Sequence, residues 1–148
     1  MKKHAKIFPG LILAIVLFSA ISCDKNDKSN PVVTFQAALN GSSEVPPNTS
    51  TSTGTATLTY DTLAKKFDIV VSYNGIAPTA GHIHKAAPGV AGGVVFGFTD
   101  VSKSPFTYSS PVLTADQKND LFTGQYYVNL HSTAFPDGEI RGQLVRTP

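Results

Sequence analysis

Phe67-Asp68-Ile69-Val70-Val71-Ser72-Tyr73-Asn74-Gly75 is the stretch that decides the fold. Phe67, Ile69, Val71 and Tyr73 alternate with Asp68, Val70 and Ser72. That period of two sends one set of side chains to each face of a strand. Asn74-Gly75 then supplies a turn. The same period runs upstream. Val33, Phe35, Ala37 and Leu39 alternate with Thr34, Gln36 and Ala38, and Gly54-Thr55-Ala56-Thr57-Leu58-Thr59-Tyr60 alternates again.

Downstream, residues 93–98 (Gly-Val-Val-Phe-Gly-Phe) form a wholly apolar run, which predicts a central strand. Residues 124–131 and 139–145 predict a last strand pair joined through Ser132-Thr133-Ala134-Phe135-Pro136-Asp137-Gly138. One segment breaks the pattern. Residues 113–122 read as a short helix, with Thr114 as N-cap, Asp116 in the first turn and Gly124 as the stop. Leu121 and Phe122 would tuck it onto the sheet. Seven or eight short strands with turn signals between them predict an all-β domain, an antiparallel β-sandwich or Greek-key barrel with one short helix. The expected core is Val33, Phe35, Leu39, Leu58, Tyr60, Phe67, Ile69, Val71, Ile83, Val95, Val128, Leu130, Ile140 and Leu144.

The first residues belong to a different kind of segment. Lys2, Lys3 and Lys6 precede an apolar run from Ile7 to Phe18, and Ser19-Ala20-Ile21-Ser22-Cys23 follows. This is the layout of a secretory signal peptide, too short for a permanent transmembrane helix. Cys23, the single cysteine of the chain, stands at the expected cut and resembles the lipidated cysteine of the bacterial lipoprotein box. The expected organisation is a lipoprotein signal peptide at 1–22, a lipidated polar tether at 23–31 and one domain at 32–148. Acyl chains on Cys23 would hold that domain at a membrane surface in the cell envelope. Acidic residues soon after Cys23 point to the outer membrane, on its periplasmic or surface face. Removing residues 1–22 takes three lysines and no acids, leaving nine basic against ten acidic side chains and a net charge of −1. The basic character belongs to the export signal, and the mature chain offers no nucleic-acid-binding patch.

Chemistry concentrates on three histidines. His82 and His84 lie two apart in Gly81-His82-Ile83-His84, so an extended backbone points both to one face. His131 closes Tyr127-Val128-Asn129-Leu130-His131, upstream of Gly138-Glu139-Ile140-Arg141-Gly142-Gln143. Neutral imidazole is the common protein ligand for zinc and copper. Two histidines from one strand and a third from a neighbour are candidate ligands for one copper or zinc ion. Glu139 is a candidate to orient one of them through its second nitrogen or to fill a fourth position. The alternative is a polar cluster of His, Asn129, Glu139 and Arg141 that fixes strand register, with Glu44 and Arg141 as an ion pair. No serine or threonine sits in a nucleophile motif. Residues 89–93 are glycine-rich without a following helix, which suits a flexible loop beside the histidine strand.

Five elements in order carry a family resemblance. Ala38-Leu39-Asn40-Gly41 with Glu44-Val45-Pro46-Pro47, then Gly54-Thr55-Ala56, then Gly81-His82-Ile83-His84, then Tyr127-Val128-Asn129-Leu130-His131, then 138–143 together resemble the CHRD (chordin-type) domain over residues 34–145. The resemblance implies an immunoglobulin-like barrel, by analogy with copper-zinc superoxide dismutases, and leaves the biochemical function open. His82, His84 and Arg141 are similar to part of the dismutase set. That enzyme needs more histidines than three, and a disulfide that this chain cannot make. The expectation is therefore a lipid-anchored, non-catalytic binding or structural module with an unidentified protein or envelope ligand. The alternative is a mononuclear copper- or zinc-binding domain with dismutase-like redox chemistry as a remote extension.

Overall fold

The computed structural model describes residues 32–148. The expected signal peptide and tether, with Cys23, lie outside the described residues. Nine strands and one α-helix follow in the order β1 (Val32–Asn40), β2 (Thr53–Asp61), β3 (Lys66–Asn74), β4 (Pro78–Lys85), β5 (Gly93–Gly97), β6 (Phe106–Ser109), α1 (Ala115–Phe122), β7 (Tyr126–Ser132), β8 (Ile140–Gln143) and β9 (Val145–Arg146). Every pairing is antiparallel. The order across the sheet is β5-β4-β7-β8-β1-β2-β3-β6, with β9 beside β1.

The sheet curls until its ends face each other. Phe67 of β3 meets Phe96 of β5 edge to face at 5.2 Å. Phe98, just beyond β5, packs on Phe106 and Tyr108 of β6 at 5.1 and 5.5 Å. The result is a curled antiparallel sandwich with one short helix, consistent with an immunoglobulin-like or superoxide-dismutase-like fold. The bend falls where β8 meets β1 through the single pair Asn40↔Arg141. Gly142 permits this approach, since a methyl group there would overlap the Ala38 carbonyl. Leu144 is fully buried at the break between β8 and β9.

The alternating residues of β1, β2 and β3 deliver their apolar set to the interior as expected. Phe35, Leu39, Leu58, Tyr60, Phe67, Ile69 and Val71 are buried, with Ile83, Val128, Leu130, Ile140 and Leu144 opposite. Val33 and Val95 pack on this core from its margin. The helix matches its sequence signals. Thr114 accepts from the Gln117 N–H and the Gln117 side chain accepts from the Thr114 N–H, which satisfies two otherwise orphaned donors. Leu121 is fully buried, and Phe122 meets Phe35 and Tyr60 edge to face at 5.4 and 5.5 Å.

One expectation about the strands needs correction. The apolar run at 93–98 is an edge strand, not a central one: β5 pairs only with β4, and Val94 is 55 % exposed. A register shift at Ile83/His84 lets Phe96 enter the core while Val94 faces outward. An apolar run without alternation does not reveal how many neighbours its backbone has. Asn74-Gly75 does end β3, with Gly75 at φ 81°. However, β3 and β4 are not partners, and the chain crosses there from one layer to the other.

Candidate metal centre

β4, β7 and β8 lie side by side, and their register builds the site. His82 faces Asn129, His84 faces Tyr127 and Ala80 faces His131. Arg141 and Gln143 continue the rows from Asn129 and Tyr127. Alternation puts Ile83, Val128 and Leu130 into the core and leaves the polar set on the opposite face. His82, His84 and His131 therefore converge, each with one nitrogen within 4.8 Å of the others'. His82 Nδ1 lies 3.1 Å from His131 Nε2. Nitrogens on tetrahedral bonds of about 2.1 Å sit about 3.4 Å apart, so this pair stands at ligand spacing. The widest separation, up to 4.8 Å, must close by about 1.4 Å for a tetrahedral ion.

Hydrogen bonds settle which nitrogens are free. His84 Nδ1 lies 2.9 Å from the Gly92 carbonyl oxygen and His131 Nδ1 lies 3.0 Å from that of Pro136. A carbonyl only accepts, so both Nδ1 atoms carry the proton, and Nε2 is the atom left with a lone pair in the corresponding neutral tautomer. His84 Nε2 is buried and has no partner. His82 Nδ1 therefore donates to His131 Nε2 in the ion-free cluster. Burial lowers the pKa of His82, helped by His131 and then His84. Burial also lowers that of His84, the Gly92 bond opposing and His131 and Arg141 adding to it. Both rings are neutral near pH 7, the state in which imidazole ligates.

The other singled-out residues are placed as follows. Glu139 does not reach the histidines. Its Oε1 accepts from Ser50 at 2.8 Å and Ser52 at 2.7 Å. Burial raises its pKa, but the hydroxyls of Ser132, Ser52 and Ser50 together hold it below the usual value. The two backbone carbonyls orient the rings in its place. Glu44 and Arg141 do not form the expected ion pair. Among the described residues the only close ion pair is Lys85–Asp120 at 2.7 Å. Arg141 instead lies over the Tyr127 ring, 3.4 Å from its centre, and donates to the Val90 carbonyl at 2.8 Å. Glu44 Oε1 and Asn129 Oδ1 are buried without partners near Gly138.

Sequence reasoning gave Tyr127 no role at the site and read residues 89–93 only as a flexible loop beside the histidine strand, whereas residues 86–92 form a pinned strap. Tyr127 stacks on His84 at 5.0 Å with an interplanar angle of 10°. Its hydroxyl accepts from the Gly92 N–H at 3.0 Å. The strap is thus pinned to β4, β7 and β8 through Gly92 and Val90. The glycines at 89, 92 and 93 were its only signal, since no side-chain identity marks a backbone carbonyl.

The conserved-domain profile of the CHRD family matches residues 35–144. This chain belongs to the CHRD domain family. The CHRD domain here runs from β1 to the Leu144 break, and it contains the entire histidine cluster. No curated protein is significantly similar to this chain. No solved structure is significantly similar to it either.

Proposed function

We propose that this CHRD domain holds one copper or zinc ion through His82 Nδ1, His84 Nε2 and His131 Nε2. The observation that carries the reading is the convergence of three imidazoles, two of them with Nδ1 already committed to backbone carbonyls. Carbonyl-anchored histidines have a set tautomer and a set direction, which lowers the cost of assembling ligands. Imidazole nitrogen suits copper and zinc among the first-row metals. The role is metal handling without catalysis, and the mature chain sits in the cell envelope through acyl chains on Cys23.

Metal analysis of the purified protein tests the ion. One equivalent of copper or zinc is expected, with loss of at least 100-fold in affinity in His84→Ala and in His131→Ala. No stoichiometric metal after loading with either ion would leave only a polar structural cluster, a reading favoured by the His82–His131 hydrogen bond. The anchor has its own check. Cys23→Ala is expected to abolish processing and membrane partitioning, and unchanged partitioning would remove the lipoprotein reading.

A further inference from the structure

We propose that the cleft above Arg141 binds a small oxyanion, a carboxylate or a phosphate. The cleft lies between residues 42–47 and residues 88–89 and encloses about 420 Å³. That is the scale of a small-molecule site. Arg141 lines it while being only 3 % exposed. A guanidinium is permanently charged and has five N–H donors. One of them is used on the Val90 carbonyl. No carboxylate among the described residues closes on the rest as an ion pair. A buried, unpaired cation is costly, and its planar fork matches two oxygens of a carboxylate or phosphate.

Glu44, the acid that shares the cleft, does not serve as that partner. Its Oε1 is turned into the protein beside Gly138 and Asn129 and has no donor. Burial pushes its carboxyl up to about 7, against Arg141 and the Val45 N–H. At pH 7 about half of it is neutral, which lessens its repulsion of an anion held by Arg141. Ser42 stands exposed at the rim, its hydroxyl committed to Asn40. Selectivity therefore rests on the arginine. The cleft borders the histidine cluster, with Tyr127 between Arg141 and His84, but it uses none of the three histidines and does not depend on the metal reading.

The test uses the purified full-length protein in detergent, stripped of metal and dialysed. Sodium phosphate and sodium acetate are titrated separately at constant ionic strength, followed by backbone amide NMR shifts. At least one anion is expected to give a saturating shift at the cleft. Saturation by phosphate alone assigns a tetrahedral oxyanion, and saturation by acetate alone assigns a carboxylate. Arg141→Lys keeps the charge but loses the fork, and should weaken binding at least tenfold. Ser42→Trp fills the mouth without touching Arg141, should weaken binding by a similar factor, and decides the matter if Arg141→Lys does not fold. Linear shifts with both anions overturn the proposal. So does unchanged affinity in a variant whose thermal midpoint is intact.

Discussion

At the scale of single residues, Glu44 and the histidine pair titrate in opposite senses. The folded carboxyl of Glu44 sits at about 7, above its ordinary 4.5. The native state then holds a proton that the unfolded chain gives up. Its contribution to stability is complete below pH 4.5 and is lost as pH rises to about 7. His82 and His84 lie below their ordinary 6.5, so their contribution is complete above pH 6.5 and is lost as pH falls through their folded values. Glu44→Gln removes the first of these and keeps the shape. In metal-free protein its thermal midpoint should exceed that of the parent above pH 7, and the gap should close towards pH 4.5. Both proteins should lose stability on further acidification. Parallel curves from pH 4.5 to 8 would show that Glu44 is not held protonated. The same pair of residues shows why the expected Glu44–Arg141 bridge was misread: charge complementarity was visible in sequence, but Tyr127 and the Val90 carbonyl were nearer claimants on the guanidinium.

Among the elements, the strap at 86–92 decides more than its composition suggests. It is held by the Gly92 carbonyl on His84, the Gly92 N–H on Tyr127 and the Val90 carbonyl on Arg141. A methyl group at Gly92 would overlap the Lys85 carbonyl, so the strap has to lift. Gly92→Ala should therefore cost His84 its orienting acceptor and weaken metal binding by about 10- to 100-fold, the usual effect of losing such a partner. A competition titration against a chromogenic chelator measures this. Unchanged affinity would mean that the carbonyl does not orient the ring. β1 to β3 and α1 were readable because local pattern and capping specify them. The strap was not, because its function resides in backbone atoms that every residue shares.

Over the whole molecule, the two layers are joined where the sheet ends face each other. Phe96 touches Phe67 at 5.2 Å and Tyr126 at 6.0 Å, and it is 5 % exposed. It is the one residue of β5 that reaches the interior. Phe96→Ala should cost about 3–5 kcal/mol in urea denaturation, because it combines lost burial with a cavity between layers. A loss under about 1 kcal/mol would show that the ends of the sheet close without it.

What the sequence alone determined is local. Alternation specified the first three strands and their inward faces, capping residues specified the helix, and five ordered motifs specified the family. His82 and His84 shared a face by strand geometry alone. Only the tertiary structure decided that His131 joins them, because that depends on the pairing of β4 with β7 and on its register. It also decided that Glu139 goes to serines and that Arg141 lies on Tyr127 without an acid. The physical reason is one of range. Side-chain period is set by the chain's own geometry, whereas partners across strands are set by register and by competition among neighbours distant in sequence.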